Sequence, residues 1–129
     1  MTAESPLLRW FPLWVATGWL LVSSVIYLSL MPAPPSVDLP EGDKLEHVLA
    51  YGVLMLWFAQ IYYRTRSRLL FALGFVLLGI ALEFLQSLTE TRQFEIADMI
   101  ADATGVVLGW LVAPPRTANA LRVIERLVR

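Results

Sequence analysis

The sequence predicts an all-α, polytopic membrane protein: a four-transmembrane-helix bundle followed by a short C-terminal amphipathic helix. Three observations point there. The 129-residue chain is 57% hydrophobic and only 16% charged, with a mean hydropathy of +0.62; soluble domains carry about 25% charged residues. Four long apolar stretches occupy most of its length. The basic residues gather between and after those stretches in a strongly sided pattern. A soluble bundle this small has a large relative surface and needs more polar residues to cover it. The absence of Cys excludes disulfides, thiolate metal sites and Cys nucleophiles. The net charge of −1 gives no reason to expect nucleic acid as a partner. The single His argues against zinc, which hydrolases hold through two or three. No metal or cofactor is expected.

The elements follow in order. Trp10 to Leu30 is a run of 21 residues without a charge, enough for the ~20-residue helix a bilayer core demands. It is longer than a signal-peptide core and lacks a small-residue cleavage site, so a retained helix is preferred to a cleaved leader. Pro32, Pro34, Pro35 and Pro40 end it and keep the connection extended. Leu45 to Tyr63 forms the second segment, with Glu46 and His47 at its start and Gln60 near its end. Arg64-Thr65-Arg66-Ser67-Arg68 reads as a tight connection. Leu69 to Leu82 is uncharged, and apolar character resumes after Glu83 with Phe84 and Leu85. The polar stretch 87–95 leads to Ile96–Val112, which Pro114 and Pro115 terminate. The four-helix domain is therefore read as 1–115 and the remainder, 116–129, as a basic cytoplasmic tail. In that tail Leu121, Ile124 and Val128 share one helical face, and Arg122, Arg126 and Arg129 another. Such a helix suits an anionic membrane surface.

Lys and Arg counted by side give the orientation. Arg9, Arg64, Arg66, Arg68, Arg116, Arg122, Arg126 and Arg129 fall on one side, Lys44 and Arg92 on the other. Eight against two places the first group, and both termini, in the cytoplasm. The expected location is the cytoplasmic membrane, crossed several times, with membrane lipids as partners.

The unusual polar residues then converge at the outer end. Asp43, His47 and Tyr51 share one face of the second helix, Glu83 and Gln86 one face of the third, Asp98 and Asp102 one face of the fourth. At 1.5 Å per residue they sit within roughly 10 Å of the outer boundary. A carboxylate in a lipid-facing helix is costly, so Glu83 is expected to face the bundle and find a partner among His47, Lys44 and Arg92. The inner halves of the helices read as almost purely apolar. The candidate polar site is thus Asp43, Lys44, His47, Tyr51, Glu83, Gln86, Arg92, Asp98 and Asp102. It admits three readings: a network that closes the bundle, a ligand pocket open to the outside, or acid/base chemistry by Glu83 and His47. Separately, Ala97, Ala101, Gly105 and Gly109 recur every fourth residue. This stripe lets another helix approach closely; packing inside the bundle is preferred to dimerisation.

Asp43-Lys44-x-x-His47-x-x-x-Tyr51, then Glu83-x-x-Gln86, then Arg92 followed by Asp98 and Gly105, resemble the VanZ-like family of small bacterial membrane proteins. The resemblance covers about residues 30–113, in the same motif order throughout. One departure is Asp102, where the family usually has asparagine. The resemblance implies a four-helix bacterial membrane protein. The founding member is associated with low-level resistance to the glycopeptide teicoplanin. With an outward polar cluster, the expectation is binding or sensing of an envelope amphiphile: a glycopeptide, a lipopeptide or a lipid-linked precursor. The alternatives are an intramembrane hydrolase or transferase acting on lipid headgroups, and a non-catalytic subunit of a membrane complex.

Overall fold

A computed structural model describes residues 8–32, 42–89 and 94–128. Five helices and no strand occur among the described residues: α1 (Phe11–Leu30), α2 (Gly42–Ile61), α3 (Thr65–Ser87), α4 (Ile96–Leu111) and α5 (Ala120–Leu127). α1 and α3 are long and apolar enough to cross a membrane.

The helices begin where local chemistry lets them. Pro12 sits at the start of α1, where its missing N–H costs nothing. Asp43 and Asp98 occupy the first turns of α2 and α4, where a carboxylate meets the positive end of the helix dipole. The arginine-rich connection is shorter than expected, because α3 already begins at Thr65. Arginine is a good helix former and nothing in that stretch breaks a helix. Arg68 then turns back on α2, donating from Nε to the Tyr62 carbonyl (2.9 Å) and from Nη2 to the Ala59 carbonyl (2.5 Å). A cation thereby closes the negative end of α2.

α2 is the axial helix. Leu54, Met55, Phe58 and Ala59 are fully buried at its centre. Phe58 stacks on Phe71 of α3 (4.5 Å between ring centres) and meets Trp19 of α1 edge-on (5.3 Å). On the other side α2 and α4 run backbone to backbone. A Cβ on Gly105 would collide with the Val48 carbonyl oxygen and lie 3.0 Å from Gly52 N. One on Gly109 would collide with the Gly52 carbonyl oxygen. Glycine is needed at both positions because only hydrogen fits. Gly105 and Gly109 thus pack internally and Ala101 is buried, whereas Ala97, expected on the same stripe, is exposed. It lies in the opening turn of α4, before the two helices close on each other.

The end carrying the arginines is not purely apolar, which corrects the sequence expectation. Asn119 caps α5, accepting from Leu121 N (3.0 Å) and Arg122 N (3.2 Å). It also donates to the Gln60 carbonyl (2.8 Å), while Gln60 Oε1 accepts from Ala120 N (2.7 Å). Glu125 reaches the start of α1 and accepts from Arg9 N and Trp10 N (2.8 Å each) and from Trp14 Nε1 (2.7 Å). The tail helix docks through Leu121 and Glu125, both buried, while Ile124, Leu127 and Val128 stay exposed. Of the predicted apolar face, only Leu121 enters the bundle. Outside, large apolar side chains on three helices, Leu20, Leu70, Leu77, Phe84 and Ile100, are exposed, as lipid or a partner would require.

Candidate functional site

The close crossing of α2 and α4 places the site. Because Gly52 and Gly105 let the two backbones meet, the turns just before them face each other in register. Lys44 comes opposite Asp98, and His47 opposite Asp102.

Lys44 Nζ is the hub of the outer layer. It lies 2.6 Å from Asp43 Oδ2, 2.6 Å from Glu95 Oε2 and 2.5 Å from Asp98 Oδ1. One ammonium thus donates to three carboxylates, a use of all three of its N–H bonds. One turn deeper, His47 donates from Nδ1 to Asp102 Oδ1 at 2.6 Å, and its Nε2 lies 3.7 Å from Asp98 Oδ2. Asp98 therefore bridges the lysine layer and the histidine layer. Asp102 is only 2% exposed, and Gly79 of α3 makes room for it: a Cβ there would stand 2.5 Å from Asp102 Oδ2.

Glu83, also 2% exposed, does face the bundle, and its bonded partner among the described residues is a backbone group. Its Oε1 accepts the backbone N–H of Glu95 at 2.7 Å. Glu95 is the capping position of α4 and makes no side-chain cap of its own. The Glu83 carboxylate satisfies one of the orphan donors that every helix start presents. Gln86 turns the other way, donating to the Ser29 carbonyl of α1 at 2.7 Å, so it ties α1 to α3 beside the cluster. Tyr51 is buried one turn inside His47. Arg92 lies outside the described residues.

Sequence reasoning missed Glu95, which contributes a side chain to Lys44 and a backbone donor to Glu83. Its signal was present: it immediately precedes the fourth apolar stretch, where a helix cap is expected. Glu125, Asn119, Gln60 and Arg68 were missed at the opposite end. Of these, Asn119 alone stood at a recognisable cap position.

Asp43, Glu95 and Asp98 each offer a carboxylate oxygen, and these lie within 4.8 Å of one another. Hard cations such as Ca²⁺ favour such oxygen sets, but the Lys44 ammonium already stands among them. Five carboxylates (Asp43, Glu83, Glu95, Asp98 and Asp102) face two cationic candidates, Lys44 and His47, among the described residues. The starts of α2 and α4 each add roughly half a positive charge. Over the described residues the balance stays negative, and Asp43 and Glu95 leave its edge about half exposed.

Fold and site define a class: a small all-α bundle joined at one end by a lysine–histidine–carboxylate network. Within that class the chain belongs to the VanZ/LLP1 family, whose profile matches residues 7–119. Comparison with curated proteins and with solved structures gave no match.

Proposed function

We propose that the chain is a four-span protein of the bacterial cytoplasmic membrane, with both termini inside, and that its outer cluster binds the cationic headgroup of an envelope amphiphile. A lipopeptide, a glycopeptide or an amine-bearing lipid-linked precursor fits that description. The eight-to-two division of Lys and Arg supports the orientation. α4, at 16 residues, extends about 24 Å. That is short of the ~30 Å hydrocarbon core, so α4 spans where the bilayer thins locally around its polar first turn.

The observation that carries the binding reading is the uncompensated negative charge at a half-open edge. Low-dielectric walls focus such a field outward and raise the local concentration of cations. A headgroup ammonium arriving at Asp43 and Glu95 relieves repulsion that Lys44 alone does not cancel, while the apolar helix faces beneath accept acyl chains.

A second reading rests on the His47–Asp102 pair. A carboxylate on Nδ1 orients an imidazole whose Nε2 accepts or delivers a proton, the arrangement used for general acid/base work. Under it the protein is a hydrolase or transferase acting on lipid headgroups.

The test uses purified protein in non-ionic detergent. The probes are an acylated oligolysine, its N-acetylated counterpart and teicoplanin. The amine form binds and the acetylated form does not; Glu95→Gln and Asp98→Asn weaken binding while thermal unfolding shows the fold retained. Equal binding of both oligolysine forms, or no binding by folded protein, refutes the proposal. Headgroup release from labelled phospholipid that is lost in His47→Gln supports the second reading instead.

A further inference from the structure

A groove of about 540 Å³ runs between the start of α3 and the end of α4, lined among others by Arg68, Val107, Trp110, Leu111, Pro115 and Arg116. Its composition is graded. Val107 and Leu111 are exposed side chains one turn apart on α4, and form an apolar wall along the helix. Trp110 stands beside them at the helix end, and two guanidinium groups close that end of the groove.

The guanidiniums are not used up by the protein. Arg68 is buried and spends one N–H of Nε and one of Nη2 on the α2 carbonyls; a guanidinium has five donors. Arg116 is exposed and makes a single long bond, from Nη1 to the Leu111 carbonyl at 3.3 Å. Neither forms a salt bridge with a carboxylate among the described residues. The start of α3 adds to the field. It has no side-chain cap and no acidic residue in its first turn, and Arg64 and Arg66 stand there exposed. A helix start without an acidic residue and nearby arginines together favour an anion with several acceptor oxygens.

We infer that this groove holds one molecule of an anionic phospholipid, its phosphate at Arg68 and Arg116 and an acyl chain along Val107 and Leu111. Charge complementarity selects the headgroup, and the apolar wall makes the ligand a lipid, not a free phosphate. The inference rests on the membrane-spanning reading but not on the outer cluster, from which it is separated by the length of α4.

Native mass spectrometry of the protein in non-ionic detergent tests it, with phosphatidylglycerol and phosphatidylcholine of identical acyl chains as probes. Wild-type protein retains phosphatidylglycerol preferentially, and excess inorganic phosphate does not displace it. Arg116→Ala, an exposed position, weakens that retention about fivefold, the change expected for one arginine at a lipid surface. Val107→Trp fills the groove without altering charge and lowers retention of the same lipid. Equal retention of the two lipids, unchanged retention in both variants, or displacement by phosphate overturns the inference. Gly74→Ala, at an exposed position that does not line the groove, serves as the control and leaves lipid retention as in wild type. If the expressed protein fractionates with the soluble phase, the membrane reading itself fails, whatever the lipid preference.

Discussion

Substituting Gly105 with alanine tests the geometry on which the outer cluster depends. On an exposed helical position this change gains roughly 0.8–1.0 kcal/mol from helix propensity. At Gly105 the new methyl collides with the Val48 carbonyl oxygen and approaches both Val48 C and Gly52 N to 3.0 Å. All three are backbone atoms of α2, so no side chain can swing away and the helices must part. Overpacking of this kind costs about 1–3 kcal/mol, and more where only backbone can yield, so the net sign is destabilising. Gly74 supplies the internal contrast, because nothing lies within 4 Å of a Cβ built there. Gly74→Ala is therefore expected to hold or raise stability, and Gly105→Ala to lower it by roughly 1–2 kcal/mol net. Thermal unfolding in mild detergent, followed by the emission of the five tryptophans, reads both. The drop for Gly105→Ala corresponds to several degrees in Tm. Since Asp102 lies one turn before Gly105, the same variant also loosens the His47–Asp102 pair, visible as faster exchange of the His47 ring N–H by NMR. A Gly105→Ala protein as stable as Gly74→Ala would refute the backbone-contact argument.

Three further outcomes follow from the polar ends. Lys44→Met leaves Asp43, Glu95 and Asp98 together without their shared ammonium; the variant unfolds earlier than wild type and regains stability on adding Ca²⁺, whereas wild type gains little, as a thermal-shift titration would show. Glu125→Gln keeps a neutral acceptor for Trp10 N and Trp14 Nε1 but gives up the charge at the start of α1 and one acceptor oxygen, at about 1–2 kcal/mol; lower Tm with red-shifted tryptophan emission is the expected reading. For topology, Cys at Thr89 reacts with an impermeant thiol reagent added to intact cells and Cys at Ala118 does not, the native chain having no Cys to interfere; the reverse pattern inverts the orientation.

The helices were legible in the sequence because each apolar stretch is long and bounded by prolines or charges. The depth of the cluster was legible for a related reason: the charges break otherwise apolar stretches, and helical rise converts position into height. Which side chain meets which was not. Glu83 was expected to find a cation; among the described residues its bond goes to the Glu95 backbone, since a helix start offers N–H donors that no residue letter displays. Gln86 sits on the face shared with Glu83 but bonds to Ser29, because a longer amide can reach across to α1. Arg68 was read as loop charge, and its role depends on α3 starting at Thr65 and on unpaired carbonyls at the end of α2. Glu125 was hidden among arginines, where composition signals a surface helix. Its partners lie 116 and 115 residues upstream, beyond any local pattern.

That distance has a consequence during synthesis. α1 leaves the ribosome before the other described helices, but the carboxylate that completes its opening turn is translated 115 residues after Trp10. At about 5–20 residues per second, the delay is roughly 6–23 s. Through that interval the N–H groups at the start of α1 need another acceptor, water being the nearest, until the tail arrives. Capture by Glu125 then joins α1 to α5, the first and last of the described helices. A nascent chain halted before Glu125 would carry its helices without that closure, and would offer quality-control proteases an unfastened α1 by which to recognise it.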